Sequence, residues 1–189
     1  QILFNISQDA QKGRFKQIEP ILHDVLDMWG NRKAGHLTGV PSGFYDLDNI
    51  LSGFKNNDFI VLAGRPSMGK TALATNIAFY AAKNIEKKGT KSTVAFFSLE
   101  MSSEQLSTRI LSEQSGIRSN DIRRGKVTEN EFEKFIETSK NISELPLYID
   151  ETPAITIAAI SNRSRRIKRL FGLELIVIDY IQLMKSSGR

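Results

Sequence analysis

The chain contains the stretch Gly64-Arg65-Pro66-Ser67-Met68-Gly69-Lys70-Thr71, which fits the pattern G-x-x-x-x-G-K-[ST]. Loops of this pattern wrap their backbone N–H groups around the phosphates of a nucleoside triphosphate. Gly64 and Gly69 allow the backbone to approach the phosphates where a Cβ atom would collide. Lys70 is expected to reach the β- and γ-phosphates, and Thr71 to offer its hydroxyl to Mg²⁺. All eight residues are therefore predicted to bind the nucleotide.

The segments on either side of the loop fit the strand–loop–helix context that the pattern requires. Residues 59–63 are all apolar and predict a buried strand before the loop. Residues 72–78 predict the start of a helix after it. The alternative interpretation is a glycine-rich turn with a surface lysine, and this context disfavours it.

The composition limits the classes of function that the chain can have. With 40% hydrophobic and 25% charged residues, the 189 residues resemble a soluble globular protein with one substantial α/β core. They contain no apolar run of membrane-spanning length and no signal-peptide pattern. The lack of cysteine excludes disulfides, thiolate metal ligands and cysteine nucleophiles, and two histidines argue against a histidine-built metal site. The net charge of +5 permits contact with a polyanion without requiring it.

Residues 1–35 differ from the rest of the chain. Apolar residues recur there at helical spacing and predict an amphipathic helix over residues 15–33, with Phe15, Ile18, Leu22, Val25 and Trp29 as its stripe. Asn31 and Gly35 supply the stop signal. The apolar stripe is expected to pack either on the chain's own core or on a neighbouring subunit.

Three further apolar runs, each leading into an acidic residue, predict more strands. They are residues 94–99 before Glu100, residues 147–150 ending in Asp150, and residues 175–178 before Asp179. Helices are predicted to begin at two capping boxes and at Thr156, the boxes being Ser102 with Gln105 and Thr128 with Glu131. Strands that alternate with helices predict an α/β fold, a mostly parallel twisted sheet flanked by helices.

The carboxyl ends of parallel strands share one edge of a sheet, where ligands bind. The phosphate loop, Glu100 and Asp179 are therefore expected to meet there. Asp179 is predicted to hold Mg²⁺ together with Thr71. Glu100 is the preferred candidate for activating the attacking water, although it could instead only stabilise the start of the next helix. Asp150 and Glu151 are the competing carboxylates.

A basic helix is predicted over residues 156–170. Arg163, Arg166 and Arg169 are spaced three apart and share one face of it. Such a face could contact nucleic acid or an acidic neighbour, but most basic runs of this kind are solvated surface.

Four segments together resemble the DnaB-type bacterial replicative DNA helicases, a family of RecA-like hexameric P-loop ATPases. They are residues 38–48, residues 63–71, residues 96–102 and residues 178–184. The resemblance extends over nearly the whole chain. It implies an interdomain linker helix at residues 1–35 and a RecA-like motor domain, incomplete at its C-terminal end, at residues 36–189.

The resemblance implies a cytoplasmic homohexameric ring that moves along single-stranded DNA and unwinds duplex at the replication fork, using ATP and Mg²⁺. Within the site, Lys70 and residues 64–71 would bind the triphosphate, Thr71 and Asp179 would hold Mg²⁺, and Glu100 would activate water. An arginine from the next subunit would complete the site, and the linker helix would pack on that neighbour. Primase and a helicase loader are the further partners that the resemblance implies.

The family's N-terminal collar, DNA-binding loops, sensor glutamine and arginine finger have no matching segment in these 189 residues. The isolated chain is therefore expected to bind nucleotide weakly and not to unwind DNA. Two alternatives remain open: a RecA-type or clock-type ATPase of strand exchange or regulatory ring assembly, and a non-catalytic ATP-binding module. The sequences of residues 96–101 and 179–184 favour the helicase over the first alternative. The effect on ATP turnover of replacing Glu100 separates the helicase from the second alternative.

Overall fold

A computed structural model describes residues 18–30 and 37–186 of the chain, which divides between His36 and Leu37 into two units. In the first unit, helix α1 (Ile18–Gly30) confirms the central part of the predicted amphipathic helix. Pro20 lies in its first turn, where proline is tolerated. The apolar side chains of Leu22, Val25 and Trp29 are exposed. The remaining residues of the prediction, Phe15, Asn31 and Gly35, fall outside the described residues.

The second unit alternates helices and strands as the sequence predicted. Its elements are α2 (Tyr45–Leu51), α3 (Lys70–Lys88), β1 (Val94–Ser98), α4 (Ser103–Ser115), α5 (Ser119–Arg123), α6 (Glu129–Ser143), β2 (Leu147–Asp150), α7 (Ile157–Phe171), β3 (Leu175–Asp179) and a 3₁₀ turn (Ile181–Leu183). The strands form a parallel sheet of order β2-β1-β3. None of the helices among residues 18–30 and 37–186 is long and apolar enough to cross a membrane.

The register of the sheet brings the three carboxyl ends together at one edge. Phe97 of β1 pairs with Asp150 of β2, and Ser98 of β1 pairs with Asp179 of β3. All five residues of β1 are buried, because helices cover both faces of the sheet. Alternate β1 side chains point to opposite faces, so Phe96 packs in the cluster with α3 and Phe97 in the cluster with α7.

Local capping signals place three helix starts where the sequence predicted them. The Ser102–Gln105 capping box begins α4, and the Thr128–Glu131 capping box begins α6. The Thr156 hydroxyl accepts a hydrogen bond from the N–H of Ala159 and begins α7. These local contacts therefore fix the residues at which the chain enters each of the three helices.

The prediction of a buried strand over residues 59–63 is wrong. The side chains of these residues are exposed, with Phe59 at 88% and Val61 at 66%, and the segment has no regular secondary structure. Among the described residues, no backbone hydrogen bond joins this segment to a strand. A strand exists only where a neighbour satisfies its N–H and C=O groups. The apolar run expresses a preference for a buried strand but does not specify a partner for it.

The segment that precedes this run is held by hydrogen bonds within itself and packs on helix α3. Val40 and Phe54 exchange two backbone hydrogen bonds of 2.8 Å. The buried Asp48 carboxylate accepts hydrogen bonds from the N–H groups of Ser42, at 2.7 Å, and Gly43, at 3.3 Å. A Cβ atom at Gly43 would lie 2.4 Å from the Tyr80 ring, so this turn packs directly on α3.

Candidate active site

The phosphate loop adopts the backbone shape that its glycines and small residues permit. Ser67 and Gly69 have φ of 65° and 85°, in the left-handed region, and α3 begins directly afterwards at Lys70. A Cβ atom at Gly69 would meet no atom within 4 Å, and one at Gly64 would meet only the Cβ of Met68, at 3.9 Å. Neighbouring protein atoms therefore leave the space beside both glycines open, which suits a loop that has to admit phosphates.

Helix α3 begins without a side-chain cap, unlike α4, α6 and α7. The N–H of Leu73 is the first to be satisfied in the helical manner, by the carbonyl of Gly69 at 2.9 Å. Because the first N–H groups of a helix have no intrahelical acceptor, those of α3 remain available to an anion. The dipole of this 19-residue helix adds to the attraction of its N-terminus for phosphate.

Lys70 and Asp179 meet in the folded chain. The Nζ atom of Lys70 lies 3.3 Å from Oδ1 of Asp179, and the side chains are 26% and 5% exposed. The Tyr180 ring lies against the same ammonium group, with its centroid 3.9 Å from Nζ. The structure thus brings the loop and the end of β3 together at one edge of the sheet. The sequence indicated this shared edge, but it did not indicate the direct ion pair or the contact with Tyr180.

The residues at this edge fit the coordination chemistry of Mg²⁺. Thr71 follows Lys70 on α3, and the Asp179 carboxylate is buried beside the loop. Within residues 18–30 and 37–186, no group of three or more histidine, aspartate or glutamate side chains forms a metal cluster. Mg²⁺ commonly uses one or two protein ligands and completes its shell with phosphate oxygens and water. One hydroxyl and one carboxylate at a phosphate-binding loop match that preference.

Glu100 lies in the turn between β1 and α4, next to Asp179. The N–H of Leu99 donates to the carbonyl of Asp179 at 2.7 Å, and Glu100 follows directly. Glu100 is exposed, and none of the hydrogen bonds or ion pairs found in the described parts of the chain involves its carboxylate. A carboxylate in this position is available to accept a proton from water at the edge of the sheet.

The two competing carboxylates are already engaged with protein groups. Asp150 accepts hydrogen bonds from Arg163 and from the N–H of Thr152, and Glu151 accepts one from the N–H of Ser103. Burial alone would raise the pKa of Asp150, but the bonds from Arg163 and Thr152 outweigh it and lower that pKa. The bond from the Ser103 N–H lowers the pKa of Glu151. Because both groups serve as acceptors for fixed donors, the geometry favours Glu100 as the base.

The basic residues of helix α7 fall into two groups. Arg163 is paired with Asp150 and also donates to the Thr152 hydroxyl at 2.6 Å. The other cations of the helix, Arg165, Arg166, Lys168 and Arg169, lie at or near the surface. One of the three arginines of the predicted face is therefore paired with a carboxylate of this chain. Contact of the other two with nucleic acid stays a prediction.

Known proteins resemble this chain in both sequence and fold. The family model described as the DnaB-like helicase C terminal domain matches residues 39–189. The replicative DNA helicase DnaB of Geobacillus stearothermophilus is 43% identical over 190 residues, covering 99% of this chain and 40% of the relative. The chain thus spans less than half the length of that relative.

Two solved structures share the fold. One is described as an ATPase domain, with a TM-score of 0.82 and 29% identity over 93% of this chain and 61% of that one. The other is a DnaB-like replicative helicase described with its interactions with primase, with a TM-score of 0.77 and 27% identity over 93% of this chain and 41% of that one. The match of the family model to residues 39–189 places this chain in the DnaB-like helicase C-terminal domain family.

Proposed function

We propose that this chain is the ATP-hydrolysing motor segment of a replicative DNA helicase, which couples hydrolysis to movement along single-stranded DNA and to duplex unwinding at the replication fork. The observation that carries the proposal is the contact of 3.3 Å between Lys70 and Asp179. It joins the phosphate loop to the end of β3, next to the turn that carries Glu100. The activity named for the relatives supports the same function.

In this proposal each residue at the edge of the sheet has one task. Residues 64–71 surround the triphosphate with backbone N–H groups, and Lys70 moves from the Asp179 carboxylate to the β- and γ-phosphates. Thr71 and Asp179 would hold Mg²⁺, which when bound neutralises part of the charge on the phosphates. Residues of the phosphate loop, α3 and β3 thus bind the nucleotide and stabilise its charge.

Glu100 orients the attacking water and accepts its proton. Support for this role comes from its free carboxylate and its position one residue beyond the Leu99–Asp179 hydrogen bond. Correct placement of the water matters because phosphoryl transfer depends mainly on positioning and electrostatic stabilisation. Nucleotide binding therefore needs Lys70, whereas turnover also needs Glu100.

The assembly follows from the same proposal. Residues 1–35 form an interdomain linker whose helix packs on the neighbouring subunit, and residues 36–189 belong to the motor domain of a homohexameric ring in the cytoplasm. An arginine from the next subunit completes each site. Single-stranded DNA passes through the ring, and primase and a helicase loader bind the assembly. The exposed apolar side chains of α1 support packing on a neighbouring subunit, and the solved structure described with primase supports primase as a partner.

The test is the ATPase activity of the full-length protein with and without single-stranded DNA, together with strand displacement from a forked duplex. We expect single-stranded DNA to raise turnover several-fold and ATP to drive displacement. Turnover that does not respond to DNA would favour a regulatory or strand-exchange ATPase. Nucleotide binding without turnover would indicate a non-catalytic assembly module.

A further inference from the structure

The turn that carries Glu100 is held on the side of the sheet by hydrogen bonds with β1 and β3. The N–H of Leu99 donates to the carbonyl of Asp179, and the hydroxyl of Ser98 donates to the carbonyl of Met101 at 2.7 Å. Ser98 is buried, so its side chain is fixed by the packing of β1. These two bonds determine how the chain leaves the sheet, but neither involves helix α4, in which the turn ends.

On the side of α4, the turn is held by a contact with a distant part of the chain. The Ser102–Gln105 capping box stabilises the first turn of the helix internally. The N–H of Ser103, the first residue of α4, instead donates to the Glu151 carboxylate, which follows β2. A carboxylate at this position also interacts favourably with the positive end of the helix dipole. Glu151 therefore ties the start of α4 to the end of β2.

The short segment that presents Glu151 is itself anchored on both sides. Asp150, before it, accepts a hydrogen bond from the N–H of Thr152 at 3.0 Å. Arg163 of α7 donates to the Asp150 carboxylate and to the Thr152 hydroxyl, after Glu151. Glu151 is exposed, so its position does not result from burial of its side chain. The anchors on α7 fix the backbone from which Glu151 reaches α4.

We propose that Glu151 is a positioning residue that holds the Glu100 turn in the geometry needed for water activation. This proposal rests on the role proposed above for Glu100. Only Met101 and Ser102 separate Glu100 from the residue that Glu151 binds, so movement of the start of α4 transmits directly to Glu100. A misplacement on the order of 1 Å can cost a large factor in rate, because near-attack geometry determines the barrier.

The experiment compares variants of the full-length protein in ATP turnover and in affinity for a non-hydrolysable ATP analogue. Glu151→Ala removes the acceptor, whereas Glu151→Gln keeps an oxygen that can accept the Ser103 N–H. Glu131→Ala is the matched control, because Glu131 is also exposed and accepts a backbone N–H, that of Thr128 at 2.8 Å, at the start of α6. Glu131 lies outside the site, so a purely structural effect of losing a capping carboxylate should appear in both alanine variants.

We expect Glu151→Ala to lower kcat roughly 3- to 10-fold, with analogue affinity within about twofold of wild type. Glu151→Gln should recover most of this loss, and Glu131→Ala should leave kcat unchanged. In the Glu100→Gln background, Glu151→Ala should cause no further loss, because a residue that acts through Glu100 has no effect once the base is gone. An unchanged kcat in Glu151→Ala, or a loss that multiplies with that of Glu100→Gln, would overturn the proposal.

Amide hydrogen exchange gives a readout that does not depend on hydrolysis. Exchange at Ser103 should accelerate about tenfold or more in Glu151→Ala and remain unchanged in Glu131→Ala. If Glu100→Gln leaves turnover intact, the proposed role of Glu100 fails, and exchange then decides whether Glu151 holds α4. Faster exchange at Ser103 in Glu151→Ala would show that Glu151 holds the start of α4. Unchanged exchange would overturn that claim together with the role of Glu100.

Discussion

Replacing Lys70 with alanine is expected to lower ATP turnover of the full-length protein by roughly 10²- to 10³-fold, the loss typical of removing one preorganised charge-stabilising donor. Lys70 supplies the positive charge at the start of α3, and its Nζ atom lies 3.3 Å from the Asp179 carboxylate. Without Lys70, the first turn of α3 has no positively charged side chain to stabilise the phosphates or to pair with the Asp179 carboxylate. The measurement is steady-state ATP hydrolysis with and without single-stranded DNA, accompanied by analogue binding.

The same change should also destabilise the nucleotide-free protein. Asp179 is 5% exposed, so it would keep a buried charge without its partner. Because Lys70 is itself 26% exposed, we expect the free energy of unfolding to fall by on the order of 1–2 kcal/mol, less than for a fully buried pair.

Lys83→Ala is the control for turnover, because Lys83 is an exposed lysine further along α3. Equal turnover losses in the two variants would contradict the assignment of Lys70.

Replacing Glu100 with glutamine is expected to slow turnover by roughly 10²- to 10⁴-fold while preserving nucleotide binding. Glutamine keeps the size of the side chain but cannot accept a proton from water. Single-turnover hydrolysis together with analogue affinity separates the two effects, because a change confined to kcat identifies an interaction made in the transition state.

The competing carboxylates provide the controls for Glu100. Glu151→Gln should stay within about threefold of wild type, because its amide oxygen can still accept the Ser103 N–H. Asp150→Asn should retain far more activity than Glu100→Gln, since the Asp150 carboxylate is already bonded to Arg163. A loss in Asp150→Asn as large as that expected for Glu100→Gln, with Glu100→Gln near wild type, would move the base to the end of β2.

Features that depend on neighbouring residues in the sequence could be predicted from the sequence. The capping boxes of α4 and α6 and the cap of α7 are local, and each begins a helix at its predicted residue. The phosphate loop is local too, although α3 begins at Lys70, ahead of the predicted helical segment at residues 72–78. The alternation of strands and helices predicted the parallel sheet. Lys70 does lie beside Asp179, as expected for ligand-binding groups at one edge of a parallel sheet. That expectation relied on a strand at residues 59–63, which the structure does not have.

Features that depend on pairing between distant segments could not be predicted. Residues 59–63 have the apolar composition of a buried strand, yet both edges of β1 are occupied by β2 and β3, and the segment pairs with neither outer strand. Hydrophobicity identifies the preference of a segment, whereas strand formation also needs the segment to align with the edge of a particular partner strand, which its own residues do not specify.

The contacts of Asp150 and Glu151 illustrate the same limit at the level of single side chains. Their position after a strand made them candidates for catalysis. Their partners, Arg163 on α7 and Ser103 on α4, depend on how those helices lie over the sheet. Only the folded chain therefore distinguishes a free carboxylate at Glu100 from two carboxylates that are used as hydrogen-bond acceptors.

The most direct test of the shared site is the effect of Mg²⁺ on nucleotide affinity in the full-length protein, measured by titration with a fluorescent ATP analogue in wild type and in Asp179→Asn. If the phosphate loop and the end of β3 hold one metal-bound triphosphate, Mg²⁺ should tighten binding about tenfold or more in wild type and less than about threefold in Asp179→Asn. An equal gain from Mg²⁺ in both proteins would place the metal away from Asp179 and contradict the site.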